Sequence, residues 1–274
     1  MNDRAVSDQE NFLDKIIETK RQRLARAMAE RPLADVRAAA LAVRRTATAH
    51  VLRAALARAE QLNIIAEIKR ASPSKGDLRR ELEPAAVARA YQAGGAAAIS
   101  VLTEEDYFLG SLADLRAVRA AVELPLLRKD FIVAEWQVYE SAAAGADALL
   151  LIVAALDDEQ LLRLRRLAED ELRMDALVEV HTRAELYRAE ACGAQIVGVN
   201  NRNLHTFTVN IETSVELIRA RRTDALFVSE SGLRSSSDLQ RLRALGYNGF
   251  LIGETLMRAD DAVATLRALR EQNV

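Results

Sequence analysis

Ile64-Ile65-Ala66-Glu67-Ile68-Lys69-Arg70-Ala71-Ser72-Pro73-Ser74-Lys75-Gly76 begins as an apolar, β-branched run and ends as a polar loop. The run reads as a buried strand. Ser-Pro-Ser and Gly76 bring it to a stop. Side chains alternate across a strand, so Glu67 and Lys69 project from the same face, two positions apart. A same-face ion pair at a strand end is one reading of these two charges. Charges inside an apolar strand are rare without a purpose, which makes the pair a lead toward a functional site.

Outward from this strand, short apolar runs alternate with amphipathic stretches. The runs are 98–102, 124–129, 148–153, 176–180, 196–200, 226–230 and 249–253. Between them lie alanine- and leucine-rich segments at 84–92, 112–122, 136–144, 158–171, 182–191, 213–220 and 237–245. Strand starts recur roughly every 20 to 35 residues, the size of a βα unit. Strands apolar on both faces argue a parallel sheet covered by helices, and eight units in a row argue a closed (β/α)8 TIM barrel of α/β class. An open doubly wound sheet is the alternative, but the loop after the first strand has one glycine where a dinucleotide fingerprint has three.

The segment before the first strand, about 1–62, reads as a helical extension of the same domain, so that 1–274 forms one barrel with its extension. Ser7 and Glu10 have capping-box spacing, and Leu13, Ile16, Ile17, Lys20 and Leu24 follow on one face. Pro32 suits the start of a second helix, and a third is expected from about Val51 to Leu62.

Half of the residues are hydrophobic, 28% are charged, and the formal net charge is -2. This is the composition of an ordinary globular protein, with no basic excess pointing to nucleic acid. The lone cysteine, Cys192, excludes an internal disulfide and suits a reducing cytoplasm. No run reaches membrane-span length. Zinc is not expected from three scattered histidines, while a carboxylate-bound magnesium stays open.

In a barrel of this kind the chemistry sits where strands end and βα loops begin. Polar residues of this chain fall there: Glu67 and Lys69, Lys129, Glu179, Asn200 with Arg202, Glu230-Ser231-Gly232 and Gly253-Glu254. Parity puts Lys129 on the face of Leu127 and Glu179 on the face of Leu177, both inward. An interior salt-bridge layer would place the same charges. The two glycine turns are expected to hold a phosphate through backbone N–H groups, their bare Cα atoms letting the ligand approach. The cations then await a second anionic group, and the opposed Lys and Glu residues offer acids and bases. His181 shares a face with Glu179 and reads as an orienting or solvated histidine. His50 reads as a surface residue, His205 as a loop residue, Trp136 and the other aromatics as packing, and Arg163, Arg165 and Arg166 as a solvated helix face.

The ordered set of motifs resembles the indole-3-glycerol phosphate synthase family of tryptophan biosynthesis. It comprises Glu67–Gly76, Leu102-Thr103-Glu104 with Tyr107–Ser111, Leu127–Phe131, Val199–Leu204, Ser229–Gly232 and Leu251–Glu254. The resemblance covers nearly the whole chain, including the helical extension, which the family places over the barrel mouth. It implies a carboxy-lyase that closes 1-(2-carboxyphenylamino)-1-deoxyribulose 5-phosphate to indole-3-glycerol phosphate, carbon dioxide and water, with no cofactor. Carried over by position, Lys129 is the general acid on the ketone oxygen, Glu179 the base of later steps, and Glu67 an aid to proton transfer. Lys69 and Arg202 hold anionic groups, Asn200 orients the reacting part, and Ser231, Gly232, Gly253 and Glu254 form the phosphate turns. Ser72, Leu204 and Glu230 are counted with the substrate-binding positions. No weight falls on the side chains of Asn201, Asn203 and Glu254, where the family tolerates other residues. Another phosphosugar barrel, such as phosphoribosylanthranilate isomerase or an epimerase, and a non-catalytic phosphate-binding barrel remain alternatives. Association with other enzymes of the pathway stays open.

Overall fold

The computed structural model describes residues 12–73, 76–79, 81–204 and 206–271. Ser7, Glu10 and His205 lie outside them. Eight parallel strands close into a barrel in chain order: β1 (Ile64–Ile68), β2 (Ala98–Leu102), β3 (Leu126–Lys129), β4 (Ala148–Ile152), β5 (Asp175–Val180), β6 (Ile196–Asn200), β7 (Leu226–Glu230) and β8 (Gly249–Ile252). β8 returns to β1 with Ile65 opposite Leu251, which closes the ring. The first loop is not plain coil: Ala71–Ser72 and Gly76–Asp77 form a small antiparallel ladder.

Strand parity sorts the core into two shells. Ile65, Ala98, Leu127, Leu150, Leu177, Ile196, Val228 and Leu251 fill the interior. Their neighbours Ile64, Ile99, Leu126, Leu149, Val178, Val197 and Phe250 face the surrounding helices. This is why the strands read as unbroken apolar runs rather than as alternating ones. The helices are α4 (Pro84–Ala93), α5 (Leu112–Ala121), α6 (Glu135–Ala143), α7 (Asp158–Arg166), α8 (Arg183–Ala191), α9 (Glu212–Ala220), α10 (Ser236–Ala244), α11 (Glu254–Met257) and α12 (Ala262–Arg270). Several begin where a side chain accepts an orphan backbone N–H, as Ser111 does for Asp114 and Asp157 for Gln160. α7 runs on as a π-helical turn over Leu167–Glu171. Arg165 does not belong to a solvated face: its side chain is 11% exposed and ion-paired with Glu169 at 2.5 Å.

The extension embraces the barrel at both ends. α1 (Phe12–Glu30) lies at the mouth and buries Leu13, Ile16, Ile17 and Lys20, the face expected from their spacing. Lys20 reaches Asp130 at 2.8 Å and Glu105 at 2.9 Å, while Arg23 grips Asp106 with two bonds of 2.6 Å. α2 (Leu33–Arg44) packs on α6, with the Trp136 indole donating to the Arg31 carbonyl at 3.0 Å. α3 (Val51–Leu56) sends Leu52 and Leu56 into the inner core and so plugs the floor. It ends before the expected Leu62. The Asn63 amide donates to the carbonyls of Leu56, Arg58 and Asn248 and so fastens the chain after the helix end to the floor. His50 is not a surface residue. It sits half-buried at a φ of 51° with its ring 3.2 Å from the buried Asp175.

Candidate active site

The C-terminal ends of the strands and the loops behind them enclose a cavity of about 640 Å3. Every site residue expected from the sequence lines it: Glu67, Lys69, Ser72, Lys129, Glu179, Asn200, Arg202, Leu204, Glu230, Ser231, Gly232, Gly253 and Glu254. Glu67, Lys129, Glu179, Asn200 and Glu230 stand at the ends of β1, β3, β5, β6 and β7, where inward parity aims them at one axis, and the others come from the loops and the short helix that follow the strands.

At the bottom of this cavity, Lys129 Nζ lies 3.0 Å from Glu179 Oε2 and 3.5 Å from Glu230 Oε2. Lys69 Nζ lies 2.7 Å from Glu67 Oε1. Glu67, Glu179 and Glu230 are all buried. Burial works against the Lys129 charge, but Glu179, Glu230 and Glu67 reverse this and hold the ammonium above the ordinary lysine range. Burial would raise Glu179 as well, yet Lys129 and His181 bring it down to about 2, with a hydrogen bond from Asn200. Glu230 takes the other course. Burial pushes it up, Lys129 opposes this, and the charges of Glu179 and Glu67 add to it, leaving the carboxyl at about 8. At neutral pH the bottom of the cavity therefore holds an ammonium, an ionised carboxylate and a neutral carboxylic acid within one side-chain length. Such opposed environments separate acid from base.

The loops add binding groups. Asn200 Oδ1 accepts the Arg202 backbone N–H at 3.0 Å, and Arg202 donates to the Phe207 carbonyl at 3.3 Å. Ser231 and Gly232 both take positive φ, 67° and 81°, and at Gly232 this favours glycine. The glycines differ from expectation in one respect. A Cβ on Gly232 would meet Val209 Cγ1 at 2.5 Å, and one on Gly253 would meet Glu67 Oε1 at 2.5 Å. The close approach they permit is first that of the chain's own side chains. Glu254 has Arg258 at 3.4 Å.

Several residues escape a reading by strand ends. Gly198 on β6 leaves the space that Glu230 Oε1 fills; a glycine inside a strand is the signal of such an approach. Asn201, given no weight above, is buried and bonds the Ser229 hydroxyl, the Ser231 carbonyl and Ser214, fixing the turn after β7. Arg128 points outward yet is buried, bonded to Thr103, Asp130 and Glu140 directly behind Lys129. The aromatics are more than packing: Phe12, Phe108, Phe131 and Phe207 line the cavity. Phe12 stands edge-on to Tyr107 at 5.2 Å and to Phe207 at 5.0 Å. The acidic trio Glu104, Glu105 and Asp106 is occupied by backbone N–H groups, Lys20 and Arg23 respectively.

The family model for indole-3-glycerol phosphate synthase matches residues 13–269. An indole-3-glycerol phosphate synthase of Carboxydothermus hydrogenoformans is 46% identical over 262 residues, covering 94% of this chain and 99% of that protein. One from Chloroherpeton thalassium is 53% identical over 205 residues, 75% of this chain and 78% of its own. Among solved structures, thiamine phosphate pyrophosphorylase from Pyrococcus furiosus superposes with a TM-score of 0.57 at 17% identity, covering 80% of this chain and 95% of its own, a likeness of fold. On its sequence from one end of the barrel to the other, this chain belongs to the indole-3-glycerol phosphate synthase family.

Proposed function

We propose that this chain closes the pyrrole ring of 1-(2-carboxyphenylamino)-1-deoxyribulose 5-phosphate, releasing carbon dioxide and water to give indole-3-glycerol phosphate. The ring carbon bearing the carboxylate attacks the ketone carbon, and Lys129 protonates the ketone oxygen as negative charge develops there. Loss of carbon dioxide restores the aromatic ring. The new hydroxyl then leaves as water on a proton donated by Lys69, paired with Glu67, while Glu179 removes a proton from the adjacent carbon that carries the nitrogen, and that electron pair forms the pyrrole double bond. Lys69 and Arg202 meet the anionic groups, Asn200 orients the reacting part, and the turns at Ser231-Gly232 and Gly253-Glu254 receive the phosphate. Phe108 and Phe131, with ring centroids 6.4 Å apart, offer the substrate's aryl ring an apolar wall.

The observation that carries this reading is the half-buried Lys129 ammonium held 3.0 Å from Glu179 at the bottom of a cavity with an aromatic wall. It supplies an acid, a base and an apolar seat together, as this substrate requires. Purified protein mixed with the carboxyphenylamino substrate should generate indole fluorescence at a rate proportional to enzyme. A flat trace at micromolar enzyme rejects the reading.

A further inference from the structure

His181 stands two residues beyond Glu179, and the steps above leave it without a task. Its side chain is 11% exposed, with Nε2 3.4 Å from Glu179 Oε1 and Nδ1 3.2 Å from Glu185 Oε2. The same Glu185 oxygen accepts the His181 backbone N–H at 2.8 Å. Glu185 is itself fixed in the first turn of α8, where Thr182 Oγ1 accepts its backbone N–H at 3.2 Å. One carboxylate thus sets both the backbone and the ring of His181. The opposite oxygen of Glu179, Oε2, faces Lys129. Glu179 is therefore clamped, with an ammonium on one oxygen and an imidazole on the other.

We propose that His181 is a positioning residue for Glu179: oriented by Glu185, its imidazolium keeps that carboxylate in place and ionised once Lys129 has given its proton to the substrate. The inference rests on the function proposed above. A buried carboxylate without a counter-charge takes up a proton. Lys129 supplies that counter-charge only until it acts as an acid. His181 is the second cation on Glu179, and it touches neither end of the Lys129 proton transfer. The ionisable groups facing the imidazole are Glu179 on β5, Glu185 on α8 and Glu230 on β7. Burial disfavours its charge, but the hydrogen bond to Glu185 and the charge of Glu179 raise it above the ordinary histidine range. At 3.4 Å the contact with Glu179 is longer than a good hydrogen bond, and Nε2 has no hydrogen-bond partner among the described residues. Its effect is therefore one of charge and orientation.

The chain has three histidines, so the imidazole resonances can be followed one by one by NMR. In the enzyme without substrate, His181 should titrate above about 6.5. Glu179→Gln and, separately, Glu185→Gln should each lower that midpoint. His181→Gln should lower kcat about tenfold, the equivalent of one pKa unit, with KM changed less than about twofold. A midpoint indifferent to both carboxylate variants overturns the proposal. So does His181→Gln with a lowered Tm and an unchanged kcat, the mark of a purely structural histidine. If the parent enzyme makes no indole product, the functional reading falls, while the substrate-free titration still decides whether His181 and Glu179 are coupled.

Discussion

Lys129 owes its charge to the carboxylates around it, and those carboxylates also hold its proton tightly. It can act as an acid only when a stronger claim appears, which the developing alkoxide on the ketone provides. Lys129→Met keeps the stem's bulk and removes the proton. It should lower kcat by about 10³-fold, while a substrate analogue binds nearly as before. If Lys129 merely anchors an anion, its loss raises KM instead, and Lys69→Met produces the fall in kcat; both constants measured for both variants separate the two. Glu230 bears on the same proton from the other side. Its carboxyl, pushed up to about 8, is neutral at pH 7. As pH rises through that value it ionises, adds a full negative charge 3.5 Å from Lys129 and strengthens the hold on the proton. Turnover should therefore fall above about pH 8, and Glu230→Gln, which cannot ionise, should lack that limb. An alkaline limb that persists in the variant assigns it to another group.

Among the elements, α1 has the most direct bearing on the substrate. Phe12, Leu13 and Ile16 line the cavity, and Lys20 anchors the helix to Asp130, the residue after Lys129. Removing residues 1–31 deletes this wall and leaves α2 in place. The barrel should remain folded by circular dichroism, with KM raised roughly tenfold, as expected from about 1–2 kcal/mol of lost apolar contact. Deletion through Thr46 is a different experiment. It also removes Val36, Ala40 and the buried Arg44, whose guanidinium donates to the carbonyls of Leu172 and Arg173 at 2.7 and 2.8 Å. Hydrogen bonds to a charged group contribute about 1.5–3 kcal/mol each, so the longer deletion should lower Tm well below the shorter one. Equal Tm values for the two, or an unchanged KM in the shorter, would contradict these assignments.

For the molecule as a whole, the strand ends were legible because a buried parallel strand must be apolar, which makes an inward charge such as Glu67 or Glu179 conspicuous. The positions of β2, β6 and β7 follow from their runs residue for residue. What stayed hidden depends on contacts between distant segments: the Lys20–Asp130 pair, the clamp of Arg128 behind Lys129, the space Gly198 gives to Glu230, and the seating of α3 under the barrel. Helical spacing showed that the extension buries a face but not which end of the barrel receives it, and the answer is both. That division makes a last prediction. Leu56 on α3 is 1% exposed in the inner core, close enough to Gly249 that a Cβ there would meet Leu56 Cδ2 at 2.5 Å. Leu56→Ala opens a cavity at the floor and should cost about 2–5 kcal/mol. For a chain of this size that corresponds to a fall in Tm of about 5–15 °C. The reacting groups sit at the opposite end of the strands, where barrels separate chemistry from stability. Turnover at 25 °C should therefore stay within about twofold of the parent. Calorimetry and an indole assay on one preparation test both halves. A collapse of kcat with little change in Tm would mean that the floor and the site are coupled through the barrel interior.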